Sequence, residues 1–171
     1  MKVVLLATSN SRLAGGLYYT ISALSRGLHN NGIDISVISH NDKYSEKDKF
    51  IFDKVRIIPY HISQIPILRT LGYSTDIHRI LNECRPIVIH QQGLWMYNSV
   101  AALHYKSKYP NTIKIIEPHG MLDPWAVKNS AWKKKIVGYL FEYKNLKTAD
   151  CIHALCKSEY ESIREFGLKN P

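Results

Sequence analysis

The chain has 171 residues, of which 22% are charged and 45% hydrophobic, and these values are typical of one globular domain with a single core. No apolar run approaches the roughly 18 residues that a membrane-spanning helix requires, and the apolar start is too short for a signal peptide. Both observations predict a cytoplasmic location. The formal net charge is +9, but no nucleic-acid-binding motif accompanies it, so we expect no nucleic-acid partner.

Three cysteines, Cys84, Cys151 and Cys156, are odd in number and show no C-x-x-C spacing. This pattern predicts neither a disulfide framework nor a zinc site. We expect all three to be small buried hydrophobic residues. The sequence shows no other cluster of metal ligands, so it predicts no metal and no bound cofactor.

Strand and helix patterns alternate along the chain, without a low-complexity linker or an internal repeat. Apolar runs predict six strands, at Lys2–Ala7, Ile33–Ser39, Val55–Pro59, Ile87–Gln91, Ile113–Pro118 and Cys151–Leu155. Helical spacing predicts helices over Leu17–Leu28, Leu71–Cys84, Ser99–Lys108, Ser130–Leu146 and Ser158–Phe166. Ser158 and Glu161 form a capping-box pattern, and the polar stretch Asn41–Lys54 predicts a surface loop. The alternation predicts an α/β fold with a doubly wound, mainly parallel, Rossmann-like sheet.

The loop after the first strand tests for a dinucleotide site. A dinucleotide fingerprint would read G-x-G-x-x-G, whereas Thr8–Gly16 contains only the pair Gly15 and Gly16 at its end. This difference argues against a dehydrogenase or an epimerase that depends on the fingerprint. The two glycines open a helix whose free N–H groups and dipole suit a phosphate. Alternatively, they only allow the helix to pack closely on the sheet.

Polar and aromatic residues follow the fourth strand. His90 and Gln92 could hydrogen-bond the hydroxyl groups of a sugar, and Trp95 could offer its face to a pyranose ring. The alternative is that Trp95 belongs to the core and His90 is a buried, hydrogen-bonded histidine. In a doubly wound sheet the first and fourth strands flank the topological switch point, so this segment is expected beside the glycine loop.

The segment Glu117–Trp125 carries the strongest functional signal in the sequence. It follows the apolar fifth strand, at the edge where α/β sheets present their sites. Pro118 fixes φ and Gly120 permits a sharp turn, so the imidazole of His119 is expected to point out of the carboxyl edge of the sheet. Together with the two preceding loops, this segment would form one polar site.

Three segments resemble one known family: the double glycine, His90–Trp95 and, above all, Pro118–Ala126. They are similar to the amino-terminal domain of family-4 retaining glycosyltransferases of the GT-B fold, especially bacterial polysaccharide-building members. The similarity continues through Trp132–Gly167 and covers essentially the whole chain. It implies two Rossmann-like domains across a cleft, of which residues 1–171 form the acceptor-side half. The carboxyl-terminal domain, which holds most of the nucleotide-sugar, would be absent, so this chain alone is expected to be inactive.

The resemblance also implies roles for single residues. Gly15 and Gly16 would lie near the donor diphosphate, where backbone N–H groups stabilise charge on the leaving group, and His119 would contact the transferred sugar beside the reacting centre. The expected acceptor and sugar contacts are His90, Gln92, Trp95, Gly120 and Asp123. A structural role comes first for Asp123, because Asp-Pro is an ordinary helix entry. The implied reaction moves a sugar from a nucleotide-sugar to a glycan or lipid-linked acceptor with retention and without a metal.

The basic helix predicted over Ser130–Leu146 is an independent observation. Its apolar stripe is expected in the core and consists of Trp132, Ile136, Tyr139, Tyr143 and Leu146. The opposite surface would carry Lys133, Lys134, Val137, Phe141 and Lys144. Our hypothesis is that this surface rests on anionic lipid, as a peripheral attachment to the inner face of the plasma membrane. The alternative is a solvated lysine face.

One further function stays open. A noncatalytic sugar- or phosphate-binding Rossmann-like domain would have the same sheet and the same glycine loop. The sequence beyond Pro171 would distinguish the two functions. Roughly 150 to 200 further residues that form another α/β domain would favour the transferase.

Overall fold

A computed structural model describes residues 1–171 and contains one six-stranded sheet in which all neighbouring strands are parallel. Its strands are β1 (Lys2–Leu6), β2 (Asp34–His40), β3 (Arg56–Tyr60), β4 (Val88–Gln92), β5 (Ile113–Glu117) and β6 (Cys151–Ile152). They lie in the order β3-β2-β1-β4-β5-β6. The predicted doubly wound sheet is confirmed, and its switch point lies between β1 and β4.

Nine α-helices accompany the strands. They are α1 (Gly16–Asn30), α2 (Ser45–Asp48), α3 (Pro66–Thr70), α4 (Asp76–Cys84), α5 (Tyr97–Lys108), α6 (Pro124–Lys128), α7 (Ala131–Val137), α8 (Tyr143–Lys147) and α9 (Lys157–Glu165). There are also two 3₁₀ turns, Arg12–Ala14 and Lys49–Phe52, and one π-helical turn, Gly138–Glu142. None of these helices has both the length and the apolar character that crossing a bilayer requires.

Successive side chains of the central strands enter two apolar cores, one on each face of the sheet. On β1, Val4 and Leu6 join the core that contains residues of α4 and α5. Val3 and Leu5 join the other core, which contains Ile21 of α1. Because helices cover both faces, the strands are buried and their carboxyl ends form the accessible edge on which a site can be built.

In the first half of the chain, two predicted segments differ from the structure. The helix expected over Leu71–Cys84 begins only at Asp76, because Gly72 has φ +69 and interrupts the helical path. The stretch Asn41–Lys54 is not a simple surface loop, since it contains α2 and a 3₁₀ turn in which Phe52 is fully buried. The short apolar run at positions 50–52 shows no periodicity, so the sequence does not predict that it belongs to the core. Its packing against α1 shows that it does.

The predicted basic helix is divided into α7, the π-helical turn and α8. The buried residues of this region are Gly138, Glu142, Asn145 and Leu146. The prediction that Trp132, Ile136 and Tyr139 belong to the core is wrong, because all three are exposed. Two polar residues occupy the inner side instead, and the wider π-helical turn offsets the two halves of the helix. Of the other stripe members, Leu146 is buried as predicted and Tyr143 is half-buried.

The predictions for the cysteines and for the last helix are confirmed only in part. Cys84 is buried and Cys151 is half-buried, but Cys156 is exposed. Cys156 is the N-cap residue of α9, where the chain has already left the sheet. The predicted capping box is wrong, because α9 begins at Lys157 and no side chain caps it. Ser158 instead contacts the Sγ of Cys156 at 3.1 Å.

Candidate functional site

A cleft of about 770 Å³ opens at the carboxyl edge of the sheet. It is lined by the last residue of β2, by the first turns of α1 and by residues that follow β1, β2, β5 and β6. The lining residues are Thr8, Ser9, Leu13, Ala14, Gly16, Leu17, Thr20, His40, Asp42, His119, Met121 and Leu155. The cleft therefore brings Gly16 and His119 together, although 102 positions separate them in the sequence. Parallel strands cause this proximity, because all their carboxyl ends reach the same edge.

Gly15 and Gly16 form the entry of α1 on one side of the cleft. Gly15 has φ +58 and ψ −132, a conformation that residues with a side chain rarely adopt. A Cβ at either position would meet no atom within 4 Å, so close helix–sheet packing does not explain the pair. No side chain caps α1, and the N–H of Tyr18 donates to the carbonyl oxygen of Gly15, which leaves the N–H groups of Gly16 and Leu17 open to an anion.

The loop before α1 is held in place by acidic residues near α2. Asp42 Oδ2 accepts hydrogen bonds from Ser9 Oγ at 2.8 Å and from Ser11 Oγ at 2.6 Å. Burial would raise the pKa of Asp42, but these hydrogen bonds lower it overall. Arg12 pairs with Asp48, and its hydrogen bonds lower the pKa of that carboxyl. The glycine entry of α1 is thus preorganised by charged and polar contacts.

His119 lies on the opposite side of the cleft, directly after β5. It has φ +54 and is followed by Gly120 with φ +72, so the backbone turns sharply here as predicted. The Nε2 atom of His119 lies 2.9 Å from Gln92 Oε1. Gln92 Nε2 in turn donates to Glu117 Oε2 at 3.2 Å. Gln92 and Glu117 are fully buried, whereas the His119 side chain is 10% exposed.

Glu117 lies among three imidazoles. His90 Nε2 and His153 Nδ1 lie 3.1 and 3.2 Å from its Oε2, and His119 Nε2 lies 3.5 Å from its Oε1. Burial would raise the pKa of Glu117, but contact with His90 and attraction to the imidazoles lower it overall. Burial lowers the pKa of His119, against the attraction of Glu117 and Glu159. Near neutral pH the site therefore holds a charged carboxylate behind a neutral imidazole.

The cluster of His90, Glu117 and His153 has donor atoms within 4.8 Å of one another, a spacing at which a metal ion could be shared. The sequence does not reveal it, because its members belong to β4, β5 and the segment after β6. His153 Nδ1 already hydrogen-bonds Glu117 Oε2, and a nitrogen that donates to a carboxylate carries a proton and offers no lone pair. His90 Nε2, although close, lies outside hydrogen-bonding angles, and Glu117 Oε1 also has no partner. We interpret the cluster as a polar support for the cleft.

A buried glutamate of α9 braces the turn at His119. Glu159 Oε1 accepts the N–H of Gly120 at 2.6 Å, and its Oε2 accepts the N–H of Leu155 at 2.7 Å. Asp123 is the N-cap residue of α6, as its predicted structural role requires, but its side chain makes no capping hydrogen bond. Glu159 of α9 therefore holds both the turn at His119 and the segment that follows β6.

Two predicted sugar contacts lie away from the cleft. His90 lines a separate cavity of about 340 Å³, together with His153 and residues of α9. Trp95 has φ +67 and packs against the core cluster that contains Leu94. Among the predicted site residues, Gly16 and His119 line the cleft, while the buried Gln92 supports His119 from behind.

A second buried polar network lies behind Trp95. Glu142 Oε2 accepts the N–H of Trp95 at 2.6 Å, and Glu142 Oε1 accepts Asn145 Nδ2 at 2.9 Å. Lys114 Nζ donates to Asn145 Oδ1 at 2.8 Å. Burial raises the pKa of Glu142 and lowers the pKa of Lys114 to about 8. These contacts fasten the π-helical turn to the loop after β4.

No role is predicted from the sequence for Glu117, Glu142 or Glu159, yet all three are buried. One signal was available for Glu117, which ends an apolar strand directly before a histidine turn. Glu142 and Glu159 resemble ordinary surface residues of polar helices. Only the tertiary contacts show that they hold backbone N–H groups of the loops around the site.

The solvent side of α7 and the π-helical turn is apolar. Trp132, Ile136, Tyr139 and Leu140 are 66%, 51%, 74% and 74% exposed, and we call these four residues the apolar ridge. Exposed lysines of the same region are Lys133, Lys135 and Lys144. The surface predicted from the sequence is therefore partly wrong, since Val137, Phe141 and Lys134 are half-buried and Lys134 Nζ donates to the carbonyl oxygen of Ala126.

A family model described as a glycosyl transferase 4-like domain matches residues 15–171. No curated protein sequence matches the chain. The matched range begins at Gly15 and includes Gly16 and the complete turn at His119.

Solved structures share the fold. The apo form of the lipopolysaccharide outer core galactosyltransferase WaaB has a TM-score of 0.69 and 17% identity over 99% of this chain and 43% of that chain. A putative UDP-N-acetylglucosamine 2-epimerase from Listeria monocytogenes has a TM-score of 0.64 and 16% identity over 100% of this chain and 43% of that chain. The S. aureus MnaA–UDP co-structure has a TM-score of 0.58 and 14% identity over 98% of this chain and 41% of that chain. The chain thus spans less than half the length of each.

Proposed function

The chain belongs to the family of glycosyl transferase 4-like domains, and from this membership we propose that it is the acceptor-side half of a retaining GT-B enzyme. That enzyme would transfer a sugar from a nucleotide-sugar to a glycan or lipid-linked acceptor. The observation that carries the proposal is the cleft shared by Gly16 and His119. A second domain would deliver most of the nucleotide-sugar. The name of WaaB, a lipopolysaccharide galactosyltransferase, supports a glycolipid as acceptor class.

The two walls of the cleft suit the two parts of a nucleotide-sugar. The uncapped start of α1 at Gly16 offers N–H groups and a positive dipole to the diphosphate. The neutral imidazole of His119 offers hydrogen bonding to the sugar. Asp42 is the one carboxylate among the cleft-lining residues, and its Oδ2 is occupied by two serines. This absence of a carboxylate pair supports a reaction in which the leaving phosphate accepts the proton of the acceptor hydroxyl, unlike glycoside hydrolysis.

Fold likeness alone does not select this reaction, because an epimerase and a transferase share the fold. A noncatalytic sugar-binding domain would also have the cleft. The family match favours the transferase.

The test is a screen of nucleotide-sugars and glycolipid acceptors with the full-length protein. We expect sugar transfer without a metal, with the anomeric configuration kept, and a loss of about 100-fold in rate for His119→Ala. His104→Ala removes an exposed imidazole on α5 and serves as the matched control. Epimerised donor without a transferred sugar, or an unchanged rate for His119→Ala, would contradict the proposal.

We propose in addition that the apolar ridge attaches the protein to an anionic membrane surface. Its tryptophan and tyrosine side chains suit the interface between lipid headgroups and chains. The neighbouring lysines supply attraction to anionic lipid, worth about 1 kcal/mol each at the surface. Charge complementarity therefore favours a bilayer over an apolar protein partner.

Vesicle flotation of the full-length protein tests this attachment. We expect binding to vesicles with anionic phosphatidylglycerol, weakened by salt and by Lys133→Glu with Lys135→Glu and Lys144→Glu. Trp132→Glu with Leu140→Glu should abolish binding, whereas the matched exposed pair, Ile65→Glu with Ile67→Glu, should not. Binding that survives both the ridge and the lysine substitutions, or no flotation of the wild type, would exclude the ridge as a membrane contact.

A further inference from the structure

Glu117, Gln92 and His119 form a chain of hydrogen bonds with a defined direction. Glu117 Oε2 lies 3.2 Å from Gln92 Nε2, and Gln92 Oε1 lies 2.9 Å from His119 Nε2. The first two residues are fully buried, so water does not replace either bond. The chain leads from the protein interior to the wall of the cleft.

The chemistry of the chain leaves one arrangement of protons. An ionised carboxylate only accepts hydrogen bonds, so the Gln92 atom beside Glu117 must be the NH₂ group. The carbonyl oxygen of Gln92 then faces His119, and a carbonyl also only accepts. The proton of the neutral imidazole is therefore on Nε2, and Nδ1 has the lone pair.

We propose that Glu117 and Gln92 are positioning residues that fix this tautomer of His119, so that Nδ1 accepts a hydrogen bond from a sugar hydroxyl in the cleft. The inference rests on the proposed transferase function for its ligand, but the tautomer itself follows from the protein alone. Nδ1 has no hydrogen-bond partner within the chain, and His119 lines the cleft.

The arrangement also assigns the two walls to different ligand groups. A lone pair at Nδ1 attracts a hydroxyl donor and repels a phosphate or carboxylate. The N–H groups at Gly16 have the opposite preference. A nucleotide-sugar in the reverse orientation, with its phosphates at His119, would meet a lone pair and a buried carboxylate behind it.

The backbone conformation at His119 is also constrained, and this constraint helps to fix the position of the ring. His119 has φ +54, in the left-handed region that residues with a side chain rarely adopt. Glu159 stabilises the turn through its bond to the N–H of Gly120. The ring is thus fixed from the backbone by Glu159 and from Nε2 by Gln92.

The experiment is nitrogen NMR of the full-length protein with ¹⁵N-labelled histidine, in which the His119 signals are those lost in His119→Ala. We expect a proton on Nε2 and none on Nδ1. Gln92→Leu removes the hydrogen-bonding acceptor and leaves His119 Nε2 only the more distant Glu117 Oε1, at 3.5 Å, so the share of imidazole with its proton on Nδ1 should rise and kcat should fall at least about tenfold. Gln64→Leu replaces an exposed glutamine and should change neither readout.

A second variant keeps the test valid if Gln92→Leu does not fold. In Glu117→Gln, the new amide can donate to Gln92 Oε1, which frees the Gln92 amide to turn its NH₂ group toward His119. We then expect the proton to shift toward Nδ1. A proton on Nδ1 in the wild type, or an unchanged tautomer in a folded variant, would overturn the proposal. Failure of the transferase function would appear separately, as an absence of transfer with the tautomer intact.

Discussion

The cleft and the apolar ridge differ in whether the fold satisfies their side chains. In the cleft, Gln92, Glu117 and Glu159 are buried and hydrogen-bonded around His119. On the ridge, four large apolar side chains are at least half exposed and have no apolar cover. The first region holds most of its buried polar groups in internal hydrogen bonds, whereas the second leaves apolar surface exposed to water. Both features indicate function, but for opposite physical reasons.

The largest effect is expected at the glycine entry of α1. Gly16→Asp places a carboxylate at the start of α1, where a Cβ meets no atom within 4 Å. It should lower kcat/KM for the donor about 100-fold by repelling the diphosphate, as measured with the full-length protein.

Gly27→Asp is the matched control for this change. Gly27 lies in the same helix, and a Cβ there also meets no atom within 4 Å. A carboxylate stabilises the start of a helix and destabilises its end. Gly16→Asp, the variant with the lowered kcat/KM, should therefore be more stable than Gly27→Asp. Equal activity of the two variants would show that Gly16 does not take part in donor binding.

The contrast between ridge and core can be measured as stability. Leu146→Ala removes a fully buried side chain and should lower the free energy of unfolding by about 3 kcal/mol. Tyr139→Ala, only seven positions earlier and 74% exposed, should change it by less than about 0.5 kcal/mol. Urea unfolding of both variants measures the difference. A large cost for Tyr139→Ala would show that the ridge is covered in solution.

A smaller effect concerns pH. Burial lowers the pKa of His119 below 6.5 in the folded chain, so below about pH 6.5 the unfolded chain binds a proton that the folded one does not. Stability should therefore fall as pH decreases from about 6.5 to the folded pKa. The charged and titratable groups that face the ring are Glu117, Glu159, His90 and His153.

His119→Gln lacks this titration but keeps a neutral polar side chain. Its free energy of unfolding should decline less than that of the wild type between about pH 7 and pH 5, in urea titrations at each pH. His78, whose pKa burial also lowers, contributes equally to both proteins. Parallel declines in the two proteins would show that His119 is not held neutral.

The smallest effect is expected from a chelator. In the cluster of His90, Glu117 and His153, the Nδ1 atom of His153 already donates to Glu117 Oε2 and therefore offers no lone pair to a metal, so we expect EDTA to leave sugar transfer unchanged. Restoration of a lost activity by added zinc would instead identify the cluster as a metal centre.

Much of the fold could be predicted from the sequence. The β-branched runs specify six strands, and their alternation with helices specifies a parallel, doubly wound sheet. Because parallel strands end at one edge, the sequence alone predicts that the turn at His119 and the glycine loop lie together. The apolar stripe of the basic helix gave a partly wrong prediction. Trp132, Ile136 and Tyr139 of that stripe are exposed, whereas the polar residues Glu142 and Asn145 are buried.

The sequence by itself determined the sheet, its accessible edge and the family resemblance, because these depend on local periodicity and on motifs of adjacent residues. Only the tertiary structure decided which side of α7 faces water and which acids support His119. Those outcomes depend on partners far apart in sequence, such as Gln92 with Glu117 and Glu159 with Gly120. A buried charge is stable only when a hydrogen-bonding or oppositely charged group contacts it. Because such groups come from distant parts of the chain, no local sequence pattern predicts the contact.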